Sequence, residues 1–387
     1  MREVVILEGV RTPFGRAIKG GFKDTRPDTL AALAIAEAVR RAGVAGSEVE
    51  DLVIGCAMPE GEQGLNVARI AALLAGLPVE TPAMTINRFC SSGLQSLSCI
   101  ADRIAVGAID LGVAGGVESM SMVPMTGNKP SLNPDLVERF PAVYTPMGVT
   151  AENVARKYGI TRADQDAFAL RSHQLAGKAI ADGKFAAETM PITTRLYEGT
   201  AHREVVIDKD ELPRLDTSLD KLGQLKPAFD PTGTVTAGNS SPLTDGAAAC
   251  VLTTVERARA SGVKPLGYLR HFAVAGVAPD LMGTGPIPAV RKVLAKAGMT
   301  ASQIDLFELN EAFAAQSLAC VRELGLDEQR VNVNGGAIAV GHPLGVSGTR
   351  LVLTVLHELA RRGGRFGLTT MCIGGGMGAA AIVERPA

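Results

Sequence analysis

Apolar residues recur along most of this chain in two alternating patterns. Short runs rich in Val, Ile and Leu, such as Leu52-Val53-Ile54 and Leu306-Phe307-Glu308-Leu309, predict buried strands. Each is preceded by a stretch with three- and four-residue apolar spacing, Leu30 to Arg41 and Ile287 to Ala297, which predicts a helix. Strands and helices in alternation predict an α/β fold. The two units also match one another, because AGVAGSEVEDLVIG from Ala42 and AGMTASQIDLFELN from Ala297 align at an offset of 255 residues. The same offset carries Ser92-Gly93 onto Ser347-Gly348, and each pair opens an apolar helix (Leu94, Leu97, Ile104; Leu351, Val355, Leu359). A strand and a glycine cluster follow each helix, Gly115-Gly116 and Gly374-Gly375-Gly376, the second lying four residues further on. A register held across separate blocks predicts an internal duplication, two related α/β halves about a pseudo-twofold axis.

Residues 119–245 break this pattern. They are rich in Pro and charge, with helices expected over Ala151–Tyr158 and Arg162–Ala181 and irregular chain over Glu188–Phe229. The second half has no counterpart, so the segment reads as an insertion, and long insertions at loop positions often cover a site. The expected organisation is a first half over 1–118 completed by 246–262, an inserted loop domain over 119–245, and a second half over 263–387.

Composition narrows the function classes. A chain of 387 residues with 46% hydrophobic and 20% charged positions has ample material for a large core and is not a disordered chain. Aromatics are scarce at 4% while Gly reaches 44, which favours elements packed closely through small side chains. Lys and Arg number 39 against 40 acids, so no net field draws the chain to nucleic acid, and an anionic ligand must be held locally. No basic and apolar leader opens the sequence, and the longest uncharged stretch, Phe366 to Val383, is broken by glycines, so neither a secretory signal nor a membrane span is expected. The six cysteines show no CxxC pair and no His at zinc spacing, which predicts reduced thiols, no metal site and a cytoplasmic protein.

Four positions are candidates for chemistry. Cys90 in TINRFCSSG falls between a strand and a helix, where the partial positive charge of the helix N-terminus favours thiolate; the alternative is a small buried cysteine. His342 in NGGAIAVGHPLGVSG aligns with Asn87 at the offset of 255. The duplication therefore puts His342 in the second copy of the loop that carries Cys90, near the twofold axis; a loop histidine capping a turn is the alternative. Cys372 in TTMCIGGGMG ends an apolar strand before a glycine run whose N–H groups suit an oxyanion, or it is a core thiol. Asn310 ends the strand Leu306–Leu309, at the edge where α/β sites sit, or serves as a helix N-cap.

NRFCSSG, GGVESM, TVTAGNSSPLTDGAAA, LNEAF, NGGAIAVGHPLGVSG and MCIGGGMGAA, in this order and spacing, resemble the thiolases over essentially the whole chain. The resemblance implies a thiolase fold, two duplicated αβ halves in a five-layer αβαβα core with an inserted loop domain that binds coenzyme A. It implies Cys90 as the nucleophile, His342 as its base and Cys372 as the second acid/base. It also implies that Asn310 holds a water which forms one oxyanion hole with His342, the N–H groups of Cys90 and Gly374 forming the other. It further places Ser241 near the pantetheine, Met147 and Phe229 as apolar walls and Arg214 near the nucleotide. No cofactor is bound permanently, coenzyme A being a substrate. A homodimer or homotetramer is expected, with a hydratase–dehydrogenase subunit as a further possible partner.

The flanking residues GGVESMSMVPM, NSSPLTDG and ELNEAFAAQ resemble the 3-ketoacyl-CoA thiolases of fatty-acid β-oxidation, and Pro146 stands where acetoacetyl-CoA thiolases tend to carry a His. An acetoacetyl-CoA thiolase working in the biosynthetic direction is the alternative. A condensing ketoacyl synthase and an inactive lipid-binding relative are more remote, since Cys90, Asn310, His342 and Cys372 are all present. Val346 in HPLGVSG departs from the small residue of many relatives and bears on fine specificity.

Overall fold

The computed structural model of the chain describes residues 1–386. In chain order it begins with β1 (Val4–Arg11), β2 (Gly15–Arg16), α1 (Pro27–Ala42), β3 (Asp51–Gly55), α2 (Val67–Leu74), β4 (Ala83–Ile86), α3 (Ser92–Ala105) and β5 (Leu111–Ser119). There follow α4 (Pro134–Arg139), α5 (Met147–Tyr158), α6 (Arg162–Ala181), β6 (Ile192–Glu198), β7 (Ala201–Ile207), α7 (Leu219–Gly223), β8 (Thr244–Thr254) and α8 (Val255–Ser261). The rest is β9 (Gly267–Gly276), α9 (Pro286–Ala297), β10 (Leu306–Leu309), α10 (Ala314–Leu324), α11 (Ala337–Val340), α12 (Leu344–Arg362), β11 (Phe366–Ile373) and β12 (Met377–Glu384).

The strand order is β4-β3-β5-β8-β1-β9-β12-β11-β10, which reads as one order followed by its mirror. In each wing the short strand runs parallel to its inner neighbour (β3 to β5, β10 to β11), and the next strand is antiparallel. The place of β4 is taken in the second wing by Val331, which bridges Phe307 in parallel. Only Val5–Tyr268 and Ile6–Gly267 join β1 to β9, so the wings meet at a narrow seam.

Side-chain alternation along the strands then builds the layers. Val53 and Ala114 point inward to a core shared with Leu94, Leu97 and Ile104 of α3 and Leu351, Val355 and Leu359 of α12. Leu52, Ile54 and Val113 point outward to α1 and α2. In the other wing Leu368 and Ile382 face α9 and α10 through Val290, Val293 and Val321. The helices α3 and α12 pack together between the wings, giving αβαβα. This is the expected five-layer architecture.

The duplication extends to helix ends. Both α1 and α9 start with Pro and stop at a left-handed glycine, Gly43 (φ 65°) and Gly298 (φ 64°). The glycine clusters, however, are not equivalent. β5 and β11 start at Leu111 and Phe366, still in register, with Gly115 and Gly116 inside β5 while Gly374 to Gly376 make the turn after β11. Gly116 is there for close approach, since a Cβ would collide with the carbonyl oxygen of Gly345. Gly375 and Gly376 instead serve a tight turn at positive φ.

The stretch Glu188–Phe229 is not irregular throughout. It contains the β6–β7 hairpin, paired from Ile192–Ile207 to Glu198–Ala201, and the short α7. Most of the hairpin is exposed, so it carries little hydrophobic signal. α5 and α6 pack on α10 and fix this region against the second wing. Arg11, fully buried, binds Glu188 at 2.8 Å and Asp210 at 2.7 Å, tying β1 to the same region. No helix among the described residues is long and apolar enough to cross a membrane.

Candidate active site

β4 ends at Ile86, one 3₁₀ turn spans Phe89–Ser91, and α3 begins at Ser92. Phe89 sits at φ 42°, a left-handed value that a bulky residue rarely adopts. Local hydrogen bonds hold it there: Phe89 N–H donates to Asn87 Oδ1 (2.7 Å), Arg88 N–H to Ser92 Oγ (2.9 Å), and Ser92 O–H to Phe89 O (2.6 Å).

This turn buries Cys90, with the N–H groups of Gly374 and of Cys90 itself approaching its sulfur. Burial pushes the thiol up to about 12; the nearby negative charge of Glu118 adds to that, and the two N–H groups oppose it. The helix N-terminus therefore does not produce the resting thiolate that the sequence leads one to expect. Desolvation outweighs the partial charge of the N-terminus, and Cys90 rests as a thiol.

The same turn packs on β11, which carries Cys372, and on the start of α12. Burial raises the Cys372 thiol well above its ordinary value, and proximity to Cys90 raises it further. Cys372 lies in an apolar cluster with Ala151, Val235, Met282, Ala312 and Phe313.

His342 occupies the loop between α11 and α12. Its Nδ1 is 2.5 Å from Ser347 Oγ, and that hydroxyl lies 3.0 Å from Pro343 O. With Pro343 O as acceptor for the Ser347 hydroxyl, the network assigns the ring proton to Nδ1 and leaves a lone pair on Nε2. Asn310 Nδ2 meets Nε2 at 3.2 Å. The amide and the ring touch directly, and Asn310 Oδ1 is buried with no protein partner. Burial pushes the imidazole down to about 3, helped by the positive charge of Arg350, so the ring is a neutral base.

Two pairs thus form, Cys90 with Cys372 around Gly374, and His342 with Asn310. Among the described residues no group of three or more His, Cys, Asp or Glu is placed to hold a metal ion. A buried thiol, a buried neutral base and directed N–H groups suit acyl transfer through a thioester.

Residues 4–256 match the thiolase N-terminal domain and residues 263–385 the thiolase C-terminal domain. The chain belongs to the thiolase family. It is 53% identical over 389 residues to the 3-ketoacyl-CoA thiolase of Bacillus subtilis (strain 168), covering 99% of this chain and 100% of that relative. It is 47% identical over 405 residues to the beta-ketoadipyl-CoA thiolase of Pseudomonas aeruginosa, covering 99% of each. The crystal structure of the Bacillus anthracis acetyl-CoA acetyltransferase superposes with a TM-score of 0.92 at 43% identity, covering 100% of this chain and 99% of that one. As a thiolase the protein is an acyltransferase, and its substrates are CoA thioesters.

The four positions that the thiolase resemblance linked to coenzyme A divide in two. Met147 packs on the Cys372 cluster, Phe229 stands edge-on to Phe313 (6.0 Å, 83°), and Ser241 N–H donates to Ala312 O at 3.0 Å. Arg214 lies apart and exposed, its N–H donating to His173 Nδ1 at 3.2 Å, beside an opening of about 270 Å³ shared with His173 and Lys178. A groove lined by Arg214, Leu212, Ser240 and Pro242 adjoins that opening. Val346 packs in a small apolar cluster with Phe14, Leu212 and Ala248.

Sequence reading missed Ser347, Glu118 and Asn87. Ser347 stands in plain view five residues beyond His342, and Glu118 within GGVESM, but only hydrogen bonds reveal what they hold.

Proposed function

We propose that this thiolase cleaves 3-ketoacyl-CoA with a second CoA to give acetyl-CoA and a shortened acyl-CoA, as in fatty-acid β-oxidation. The observation that carries the reading is the second thiol beside the first. Plain acyl transfer needs one nucleophile, whereas breaking a carbon–carbon bond also needs an acid for the carbanion that leaves.

Cys90 sulfur attacks C3 of the substrate as its proton passes to His342 Nε2. That proton turns Nε2 from acceptor into donor, and with the Asn310 amide it faces the tetrahedral oxyanion. The C2–C3 bond breaks, the acyl group stays on Cys90, and Cys372 gives its proton to C2 of the acetyl-CoA enolate. The Cys372 thiolate then takes the proton of the incoming CoA thiol, which attacks the Cys90 thioester. The shortened acyl-CoA leaves and the Cys90 thiolate recovers its proton from His342. The N–H groups of Cys90 and Gly374 serve the oxyanion of the thioester steps.

In this reading segment 119–245 is the loop domain that receives coenzyme A, between a half made of 1–118 with 246–262 and a half made of 263–387, whose last residue lies outside the described ones. Met147, Phe229 and Ser241 line the pantetheine arm and Arg214 meets the nucleotide. No permanently bound cofactor is required. Six free cysteines suit a reducing, cytoplasmic setting. A second copy of the chain is the expected partner, because β4 is a terminal strand with an open edge and lies near exposed Leu73, Leu74 and Met84. Sedimentation should give a dimer or tetramer; a monomer at micromolar concentration removes this part.

CoA-dependent cleavage of acetoacetyl-CoA and 3-ketohexadecanoyl-CoA, measured side by side, tests the substrate class. Turnover of the long substrate is expected. Turnover of acetoacetyl-CoA alone moves the protein to the biosynthetic reading, which the likeness to an acetyl-CoA acetyltransferase supports.

A further inference from the structure

We propose that Glu118 is a positioning residue for the reaction, a single carboxylate that fixes the loop of the nucleophile to the loop of the base. The inference rests on the function proposed above. Glu118 is the penultimate residue of β5 and is 1% exposed. Its Oε2 accepts from the N–H groups of Ala57 (2.9 Å) and Gly345 (2.8 Å). Its Oε1 accepts from Met58 N–H (3.2 Å) and Gln63 Nε2 (2.8 Å).

Two of these bonds belong to a continuous line. Phe89 N–H donates to Asn87 Oδ1 (2.7 Å), and Asn87 Nδ2 donates to Ala57 O (3.0 Å). Ala57 N–H donates to Glu118, and Glu118 accepts from Gly345. The line therefore begins one residue before Cys90 and ends three residues after His342. It crosses from one duplicated half to the other at the point where Gly345 rests against Gly116 and Gly93.

The side chain must be a carboxylate, because all its partners, these four N–H groups and the Cys56 thiol at 3.9 Å from Oε1, are donors. Glutamine would turn its own NH₂ towards two of them. The buried negative charge has a second effect: after burial, which is the larger cause, it adds to what keeps the Cys90 thiol protonated. Glu118 therefore holds the geometry for attack while keeping the sulfur protonated until His342 takes the proton.

These two roles separate experimentally, because Glu118→Gln removes the charge and sets an NH₂ against two of the donors that hold the side chain in place, whereas Asn87→Ala breaks only the line. Glu118→Gln is expected to lower kcat about tenfold to a hundredfold with KM for 3-ketoacyl-CoA nearly unchanged, the cost of misplaced reacting groups. At the same time alkylation of Cys90 by iodoacetamide, followed at its peptide by mass spectrometry, is expected to become several-fold faster. Asn87→Ala is expected to lower kcat without faster alkylation, and it carries the test of the line if Glu118→Gln does not fold. A merely structural Glu118 predicts a lower Tm with kcat and alkylation unchanged or falling together, and that result overturns the inference. If wild type cleaves no 3-ketoacyl-CoA the proposed function fails, whereas the alkylation of Glu118→Gln against wild type still decides the inference.

Discussion

Cys90→Ser is expected to abolish CoA-dependent cleavage, lowering turnover by about 10⁴-fold or more, as removal of a nucleophile does elsewhere. Serine is nearly the same size, but its hydroxyl is a far weaker acid than a thiol that burial has already pushed up to about 12. A base held down to about 3 cannot take a proton from it at a useful rate. The variant still folds, because the hydroxyl meets the same N–H groups of Gly374 and Cys90 that approach the sulfur. The cost in stability should stay near about 1–3 kcal/mol, the range for a buried hydroxyl. Rapid-quench mass spectrometry provides the decisive reading: wild type should gain the mass of the acyl group at the Cys90 peptide, and the serine variant should gain none. An acyl group found on Cys372 or Cys99 instead would reassign the nucleophile.

The place of Cys90 is legible in the sequence and its protonation state is not, for a physical reason. A strand, a short turn and an apolar helix are local patterns, so the position of Cys90 at a strand-to-helix junction follows from residues 83–105. Burial is not local. It arises because α12 and β11 pack on the turn, and these lie more than two hundred residues away. The same contrast runs through the fold. β3, β10, α1 and α9 are readable because they are apolar on at least one long face. The β6–β7 hairpin is not, because it is largely exposed. The glycines stand out as landmarks of the duplication, but a glycine marks a place where backbone or a turn intrudes, and the two halves need that in different places. Glu118 near the end of β5 and Asn87 in the loop after β4 look like ordinary polar residues, since a hydrogen-bond line through Ala57 leaves no pattern in the sequence.

His342→Asn gives the second large effect, and its pH dependence identifies the base. With the ring at about 3 and the thiol at about 12, both groups rest neutral near pH 7, and the thiol proton is the one the proposed mechanism moves. Moving that proton from sulfur to Nε2 changes neither the number of bound protons nor the net charge. The fraction of thiolate formed in this way is therefore independent of pH. That fraction is small beside the thiolate formed by proton loss to solvent, so resting wild-type alkylation at Cys90 should climb about tenfold per pH unit towards about pH 12, with the imidazole neutral by nitrogen-15 chemical shift at about pH 5. Asparagine removes the acceptor, so thiolate then arises only by proton loss to solvent. Resting alkylation should therefore change little in the variant, whereas CoA-dependent turnover, in which the base takes the proton during attack, should fall by about a thousandfold near neutrality. Stability gives an independent sign. Because the folded ring titrates below its unfolded value of about 6.5, its contribution is complete above that pH and is lost as pH falls towards about 3. Thermal unfolding from about pH 7 to pH 4 should therefore cost wild type more than His342→Asn. Turnover unchanged in the variant, or a protonated ring in wild type at pH 5, would mean that the sulfur is ionised by something other than His342.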